Sequence, residues 1–281
     1  MSVAGRSSPI LLCAHQELVL AVRSRWTQIF AAVFAALSLA VAGSGYILSG
    51  GAGFQDFART AASLVQLVLL LTPLTSLVIG VLALAPEKGS AELLFSQPVS
   101  RRSILLGRLL GLFTALGAAQ AIGLGGAGLV VFSRSGADGL AGYATLFAGA
   151  LVLTAVFLGI AALLCSGGVG RRAKSLALAL IVWFVAVVLF DMAALGLASV
   201  LPSKAASRVL IGATLVNPAD AFRTGALLAI QGTTAFGSAS LALLRFTRGP
   251  LGAAALLGLS AAIWLVLPAA LAARRLDRAD L

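Results

Sequence analysis

Few side chains in this 281-residue sequence have the type and spacing that chemistry needs. His15 is the single histidine, and the two cysteines, Cys13 and Cys165, stand far apart, so neither a disulfide frame nor a zinc site is offered. Neither thiol has a positioned base beside it, which nucleophilic catalysis requires. The glycine-rich stretches follow no strand, and no GxxxxGK[ST] occurs, which excludes ATP hydrolysis through a Walker-type phosphate loop. A copper path needs thiolate, thioether or imidazole ligands. Beyond Met1 the chain offers Met192, Cys13, Cys165 and His15, scattered from end to end. The expectation is a chain that is not an enzyme, with no catalytic residue, no metal site and no bound cofactor of its own.

Asp191 stands apart from this inventory. It is an acid deep in an apolar stretch, and a buried carboxylate is costly enough to be a functional candidate by default. Gln66, Gln120 and Thr72 are possible partners for it within a helix bundle. The alternative places Asp191 near the outer interface with no special role. A proton-coupled carrier would need more than one such group.

The elements that hold these residues follow from composition. The chain is 60% hydrophobic and 10% charged, with mean hydropathy +1.07, against about 45–50% apolar and about 25% charged in soluble domains. Folding alone cannot hide so much apolar surface, which excludes a soluble enzyme and a disordered chain. The sequence therefore predicts an all-α integral membrane protein. Six apolar stretches are long enough to span a bilayer, at about 27–48, 60–85, 104–132, 142–165, 175–200 and 251–273. Helices are required because every lipid-facing amide must bond within its own segment. The alternation of a membrane barrel is absent. Arg23 and Arg25, an apolar run and Ala40-Val41-Ala42 resemble a secretory signal. The late basic region and the five further spans favour a retained anchor.

The net charge of +11 would suggest a polyanion in a soluble protein, but in a membrane chain lysine and arginine set orientation. Thirteen of the twenty lie in residues 1–26, 86–108, 166–174 and 274–281. Five of the other seven fall in the long segment 201–250, where the rule is weak. Both termini are thereby predicted to face the cytoplasm.

Three segments lie outside the spans. Residues 9–26 read as an interfacial helix opened by Ser8 and Pro9, with Leu11, Leu12, Leu18 and Val22 apolar and His15, Glu17 and Arg25 polar. Residues 27–281 form the six-span domain. In the segment 86–108, Pro86 stops the second span, Ser90 opens a short helix and Pro98 ends it. Leu93, Leu94 and Phe95 make an apolar knob that a partner could grip, and Arg101, Arg102 and Arg108 fall where anionic head groups lie. In 201–250, Asn217 or Asp220 caps a helix to about Ile230, and a second runs from Ser238 to about Phe246. This reads as a small helical cap on the outer face, with re-entrant hairpins as the alternative. Gly107, Gly111 and Gly123 are positions for close helix packing.

The segment Glu87-Lys88-Gly89-Ser90-Ala91-Glu92-Leu93-Leu94-Phe95-Ser96-Gln97-Pro98-Val99-Ser100-Arg101-Arg102, followed by Leu106-Gly107-Arg108, resembles that of the type-2 ABC transporter permeases. In that family an acidic, Gly-containing stretch leads into L-L-x-x-P-V-S-R and then L-G-K/R; here three residues, Phe95, Ser96 and Gln97, stand between Leu93-Leu94 and Pro98. The stretches 57–80, 91–112 and Asn217–Arg223 further resemble the permease of the ABC transporter that supports maturation of copper-containing nitrous oxide reductase. The resemblance implies a homodimer in the bacterial inner membrane and two copies of a cytoplasmic ATPase that carries ATP and Mg. It implies 86–103 as the coupling helix, with Glu87, Lys88, Gly89, Glu92, Leu93, Leu94, Phe95, Pro98, Arg101 and Arg102 at the ATPase. It also implies a periplasmic β-helical subunit meeting the 201–250 cap through Asn217, Pro218, Asp220, Phe222 and Arg223, and through it a copper chaperone and the reductase. Other readings are an exporter of a lipid, drug or sulfur compound, and a membrane scaffold without transport.

Overall fold

The structure, a computed structural model, describes residues 8–47, 54–85, 99–135, 139–166, 172–231 and 238–278. Among the described residues all regular structure is helical. The helices are α1 (Pro9–Arg23), α2 (Arg25–Ile47), α3 (Phe54–Leu84), α4 (Arg101–Ser135), α5 (Leu140–Cys165), α6 (Arg172–Phe184), α7 (Phe190–Ser199), α8 (Ser203–Val216), α9 (Pro218–Gln231), α10 (Ser238–Thr247) and α11 (Pro250–Arg278). A π-helical turn, Val185–Leu189, joins α6 to α7 and makes one continuous span. Six helices among the described residues are long and apolar enough to cross a membrane, and they fall on the six stretches read from the sequence.

The first corner is built by Ser8, Pro9 and Ser24. The Ser8 hydroxyl accepts the Leu11 N–H at 3.4 Å, and Pro9 takes the first helical position, where its missing N–H costs nothing. Ser24 is extended (ψ 127°), which ends α1; the Gln28 N–H on the Ser24 carbonyl (3.1 Å) then opens α2. Glycine decides how α1 lies on α4. A Cβ at Gly107 would stand 2.5 Å from the Cys13 Cβ, and one at Gly111 would stand 2.5 Å from the Ala14 oxygen. Only hydrogen fits at these crossings, which is the packing role read for both glycines. Gly123 does the same under Phe34 of α2.

The inward face of α1 differs from the expected one. Ala14, Glu17 and Ala21 are buried against α4, whereas Leu11, Leu12 and Val22 are exposed. Glu17 was assigned to the polar face, yet it pairs with Arg108 at 2.8 Å; Arg108 also donates to the Ala83 carbonyl. Arg108 therefore turns into the protein rather than out to head groups.

α3, α4 and α5 form the centre. Gln120 Nε2 donates to the hydroxyls of Thr72 (3.1 Å) and Thr154 (2.8 Å), which clamps the three helices with fully buried groups. Around this clamp pack Leu64, Leu77, Leu112, Leu116, Leu153 and Phe157. At the end of α4 away from α1, Tyr143 donates to the Leu124 carbonyl at 2.6 Å, with its ring edge-on to Phe132. The composite span α6–α7 is by far the least covered, with 6% of its most apolar window buried against 61% for α5. Its Leu180, Ile181, Phe184 and Leu195 face outward, which a lipid solvent favours.

The 201–250 segment contains α8 in addition to the two helices read from the sequence. α8 and α9 form a hairpin that turns at Asn217-Pro218. Trp264 Nε1, near the middle of α11, donates to the Val216 carbonyl (3.0 Å), and Ser260 donates to Leu215 (2.6 Å). On the other side a Cβ at Gly142 would come within 2.9 Å of the Ala229 oxygen, and one at Gly149 would meet the Phe222 ring at 2.8 Å. The hairpin thus descends between α5, α11 and the fifth span, and its turn reaches the middle of these helices. Of the two arrangements left open by the sequence, α8–α9 adopts the re-entrant one rather than lying flat as a cap. The turn residues 217–221 are buried by protein, as irregular backbone at bilayer depth demands. Ile211, Ala221, Leu243, Ala253 and Leu257 make a second small core where α8–α11 meet.

Candidate functional site

The hairpin turn carries the densest polar network among the described residues. Asn217 is its origin: its Oδ1 accepts the Ala219 N–H (3.1 Å) and caps α9, with Pro218 at the first helical position. Capping fixes the side chain so that its Nδ2 reaches the Ala186 carbonyl at 2.7 Å. Ala186 belongs to the π-helical turn, and such insertions expose carbonyls that a regular helix would use internally. The same nitrogen lies 3.3 Å from Asp220 Oδ2.

Helical spacing then puts Asp220 and Arg223 on one face, three residues apart. Arg223 grips Asp191 of α7 with both terminal nitrogens, at 2.7 and 2.8 Å, and donates to Asp220 Oδ1 at 2.8 Å. One guanidinium therefore serves two carboxyl groups. Asp220 is the most enclosed member, with 10% of its side chain exposed, against 30% for Arg223 and 34% for Asp191. A bidentate Arg–carboxylate pair has a fixed plane and two parallel bonds, so it sets orientation as well as attraction. What this arrangement can do is tie the fifth span to the hairpin at one hub. Among the described residues no three His, Cys, Asp or Glu side chains gather as metal ligands.

This geometry corrects two sequence expectations. Asp191 is partnered by Arg223, not by Gln66, Gln120 or Thr72: Gln66 is exposed, and the other two belong to the central clamp. Asn217, Pro218 and Asp220 were expected at the surface of an outer partner, but all three are buried. Phe222 packs on Gly149 and Arg223 is held by the two acids. The hairpin's inward course is the reason. The sequence offered one usable signal, an arginine in an apolar helix at i+3 from an acid.

At the opposite end, Arg101 and Arg102 stand in the first turn of α4 and reach the end of α11. Arg101 donates to the Leu276 carbonyl (2.9 Å) and Arg102 pairs with Asp277 (2.6 Å). The remaining coupling-segment residues, Glu87, Lys88, Gly89, Glu92, Leu93, Leu94, Phe95 and Pro98, lie outside the described residues.

Among the described residues, six helices fit to span a membrane, an N-terminal helix laid on the bundle and a buried hairpin before the last span define a multi-pass membrane protein. Residues 11–281 match the family described as ABC-2 family transporter protein, and the chain belongs to that family of ABC transporter permeases. It is 32% identical over 235 residues to a Pseudomonas aeruginosa protein named "Probable ABC transporter permease protein NosY", covering 82% of this chain and 85% of that one. It is 33% identical over 232 residues to a Stutzerimonas stutzeri protein of the same name, covering 80% and 83%. The chain is a NosY-like type-2 ABC permease, a membrane protein that associates with an ATPase subunit.

Proposed function

We propose that this chain is the membrane subunit of an ABC transporter serving the maturation of nitrous oxide reductase, where it carries ATP-driven motion outward. The observation behind this reading is the likeness to two NosY proteins along four-fifths of the chain. Two copies of the chain would pair, each engaging a cytoplasmic ATPase subunit that holds ATP and Mg. Both termini would then lie in the cytoplasm, with segment 86–103 seated in the ATPase through Glu87, Glu92, Leu94, Phe95, Arg101 and Arg102. Movement of that segment is passed to α4, whose first turn is joined to the end of α11 by Arg101 and Arg102. α11 in turn holds the hairpin through Ser260 and Trp264. The hairpin and the outer loops around it would alter the hold of a periplasmic β-helical subunit on its client, a copper chaperone or the reductase. The scarcity of copper ligands in the chain supports transmission of motion rather than conduction of the metal.

Affinity capture of the tagged chain from its native membrane in mild detergent tests the reading. Recovery of a Walker-motif ATPase at one per copy, together with a periplasmic repeat protein, is the expected result. An ATPase without the periplasmic protein would shift the assignment to a general exporter. Absence of any ATPase would overturn the coupling role.

A further inference from the structure

The fifth span changes register at its π-helical turn. Up to that turn its inward stripe is regular: Ser175 and Ala179 are buried, and Trp183 and Ala186 pack on the core at ordinary helical spacing. Beyond the turn the half-buried stripe is Asp191, Ala194 and Ala198, with Phe190 beside it. Met192, Leu195 and Leu197 point outward, at 66%, 51% and 52% exposed. A regular helix would continue the stripe from Ala186 to Phe190, Ala193 and Leu197. Instead it steps from Ala186 to Asp191, and the Phe190 N–H accordingly donates to the Val185 carbonyl, the longer bond of a π-turn. The turn thus holds one residue more than an α-helix needs, and that residue brings Asp191 round to Arg223.

We propose that this turn is a register switch: when the hairpin lets go, the turn tightens into regular α-helix and α7 rotates as a unit about the axis of the span. Taking up the spare residue turns α7 by about 100° and lengthens the span by about 1.5 Å. Phe190, Ala193 and Leu197 then come inward in place of Asp191, Ala194 and Ala198. Asp191 takes the present bearing of Met192.

The surroundings of the turn suit a switch better than a fixed kink. Both of the ties described above come from the hairpin. Asn217, the cap of α9, holds the Ala186 carbonyl inside the turn at 2.7 Å. Arg223, within α9, holds Asp191 just past it at 2.7 and 2.8 Å. One displacement of the hairpin therefore loosens both. No residue from Val185 to Ser199 is fully buried, so turning α7 tears no side chain out of a packed core. The resting state is also defined. An acid turned to lipid is costly, so the span keeps the π register for as long as Arg223 is in reach.

The test uses the full chain in vesicles of phosphatidylcholine and phosphatidylglycerol, with Cys13→Ala and Cys165→Ala to remove the native thiols. A spin label is placed on Leu197→Cys or, separately, on Leu195→Cys, and its relaxation by dissolved oxygen reads exposure to lipid. Both labels are expected to be accessible in the parent. Asp191→Leu removes the tie to Arg223 and also the acid that disfavours the α register. The Leu197 label should then lose oxygen accessibility. The Leu195 label moves only to the bearing of Gly196, which is exposed, and should keep it. Deleting Val188 takes out the spare residue and leaves position 191 in line with Ala186. In Asp191→Leu with that deletion, the Leu197 label should stay accessible. No loss at Leu197 in Asp191→Leu would overturn the switch. Loss at both labels, or a loss that persists in the deletion, would show a loosened helix in place of a turned one and would overturn it as well.

Melting temperatures give a second reading that needs no release of the hub. Deleting Val188 alone keeps every partner in register, so the chain should melt close to the parent. Deleting Leu180 shifts Trp183, Ala186 and Asp191 off the Leu70 carbonyl, Asn217 and Arg223 together, and should lower the melting temperature clearly. Equal losses in the two deletions would mean that the turn holds no spare residue, and the switch would fall with it.

Discussion

Arg223 joins two acids, Asp191 on α7 and Asp220 on its own helix α9, and its removal should be felt differently from theirs. In Arg223→Leu, Asp191 and Asp220 lose their shared cation while remaining enclosed together. Breaking a buried pair by deleting one partner costs about 3–5 kcal/mol; partial exposure of Arg223 and Asp191 places this case at the lower end, about 2–3 kcal/mol. Asp191→Asn keeps an acceptor for the guanidinium and leaves Arg223 paired with Asp220, so it should lose only about 1 kcal/mol. Ranked melting temperatures of the purified variants check this, with Arg223→Leu lowest; equal losses would show that Arg223 is not the hub. Asp191 could be singled out in the sequence because an acid in an apolar run is rare for a physical reason. Its partner could not, because Arg223 lies 32 residues away and only the hairpin's fold-back brings it near. The Gln120 clamp is half legible: the sequence marks Gln120 and Thr72 as polar groups within spans, but it does not show that they bond to each other and to Thr154 rather than to Asp191.

The elements were more legible than their placement. Period and length give the six spans to within a few residues, since lipid enforces a minimum apolar run and internal hydrogen bonding. Neither rule says whether a short polar-capped helix lies on a surface or inserts, because its amphipathicity satisfies both. Glycine supplies the missing information at α1: Gly107 and Gly111 mark where a second backbone touches α4. Gly107→Leu should therefore lift α1 off the bundle. Overpacking of this kind costs about 1–3 kcal/mol, and Cys13, seated against Gly107, should react with a maleimide several-fold faster while buried Cys165 stays protected. Unchanged labelling of Cys13 would mean that α1 is held elsewhere. Asn217→Ala tests the hairpin in the same way. It deletes an N-cap worth about 1 kcal/mol and also abandons the Ala186 carbonyl in the π-helical turn. The variant should lose clearly more melting temperature than a cap deletion alone, and a loss of only about 1 kcal/mol would deny the second bond a role.

At the scale of the whole molecule, the chain has one continuous route from the end that carries its termini to the hairpin. Arg101 and Arg102 bind α4 to the end of α11, and α11 holds the hairpin by Trp264 and Ser260. The hairpin holds the fifth span by Arg223 and Asn217. The fifth span packs least against its own chain, so a shift there meets little internal resistance. A rigid route is useful only if something pushes at its start, and the chain has no nucleotide site of its own in sequence. In the proposed function the push would come through the segment before α4, whose sequence offers Leu94 and Phe95 as apolar anchorage beside charged Glu87, Lys88 and Glu92. Apolar anchors dominate such contacts, and losing two should cost several kcal/mol of binding to the ATPase, while rim charges matter less. The double variant Leu94→Ala/Phe95→Ala should thus insert normally and keep its melting temperature, yet lower ATP turnover of the reconstituted complex at least about tenfold. Lys88→Gln should change turnover only slightly and in a salt-dependent way. Cutting the route further along, with Trp264→Phe, leaves the ATPase contact intact. It should leave ATP turnover near its starting value while weakening whatever the outer face does, so the two variants separate the drive from its transmission. If Trp264→Phe instead lowered ATP turnover as much as the double variant, the hairpin would be part of the coupling contact's support rather than its output.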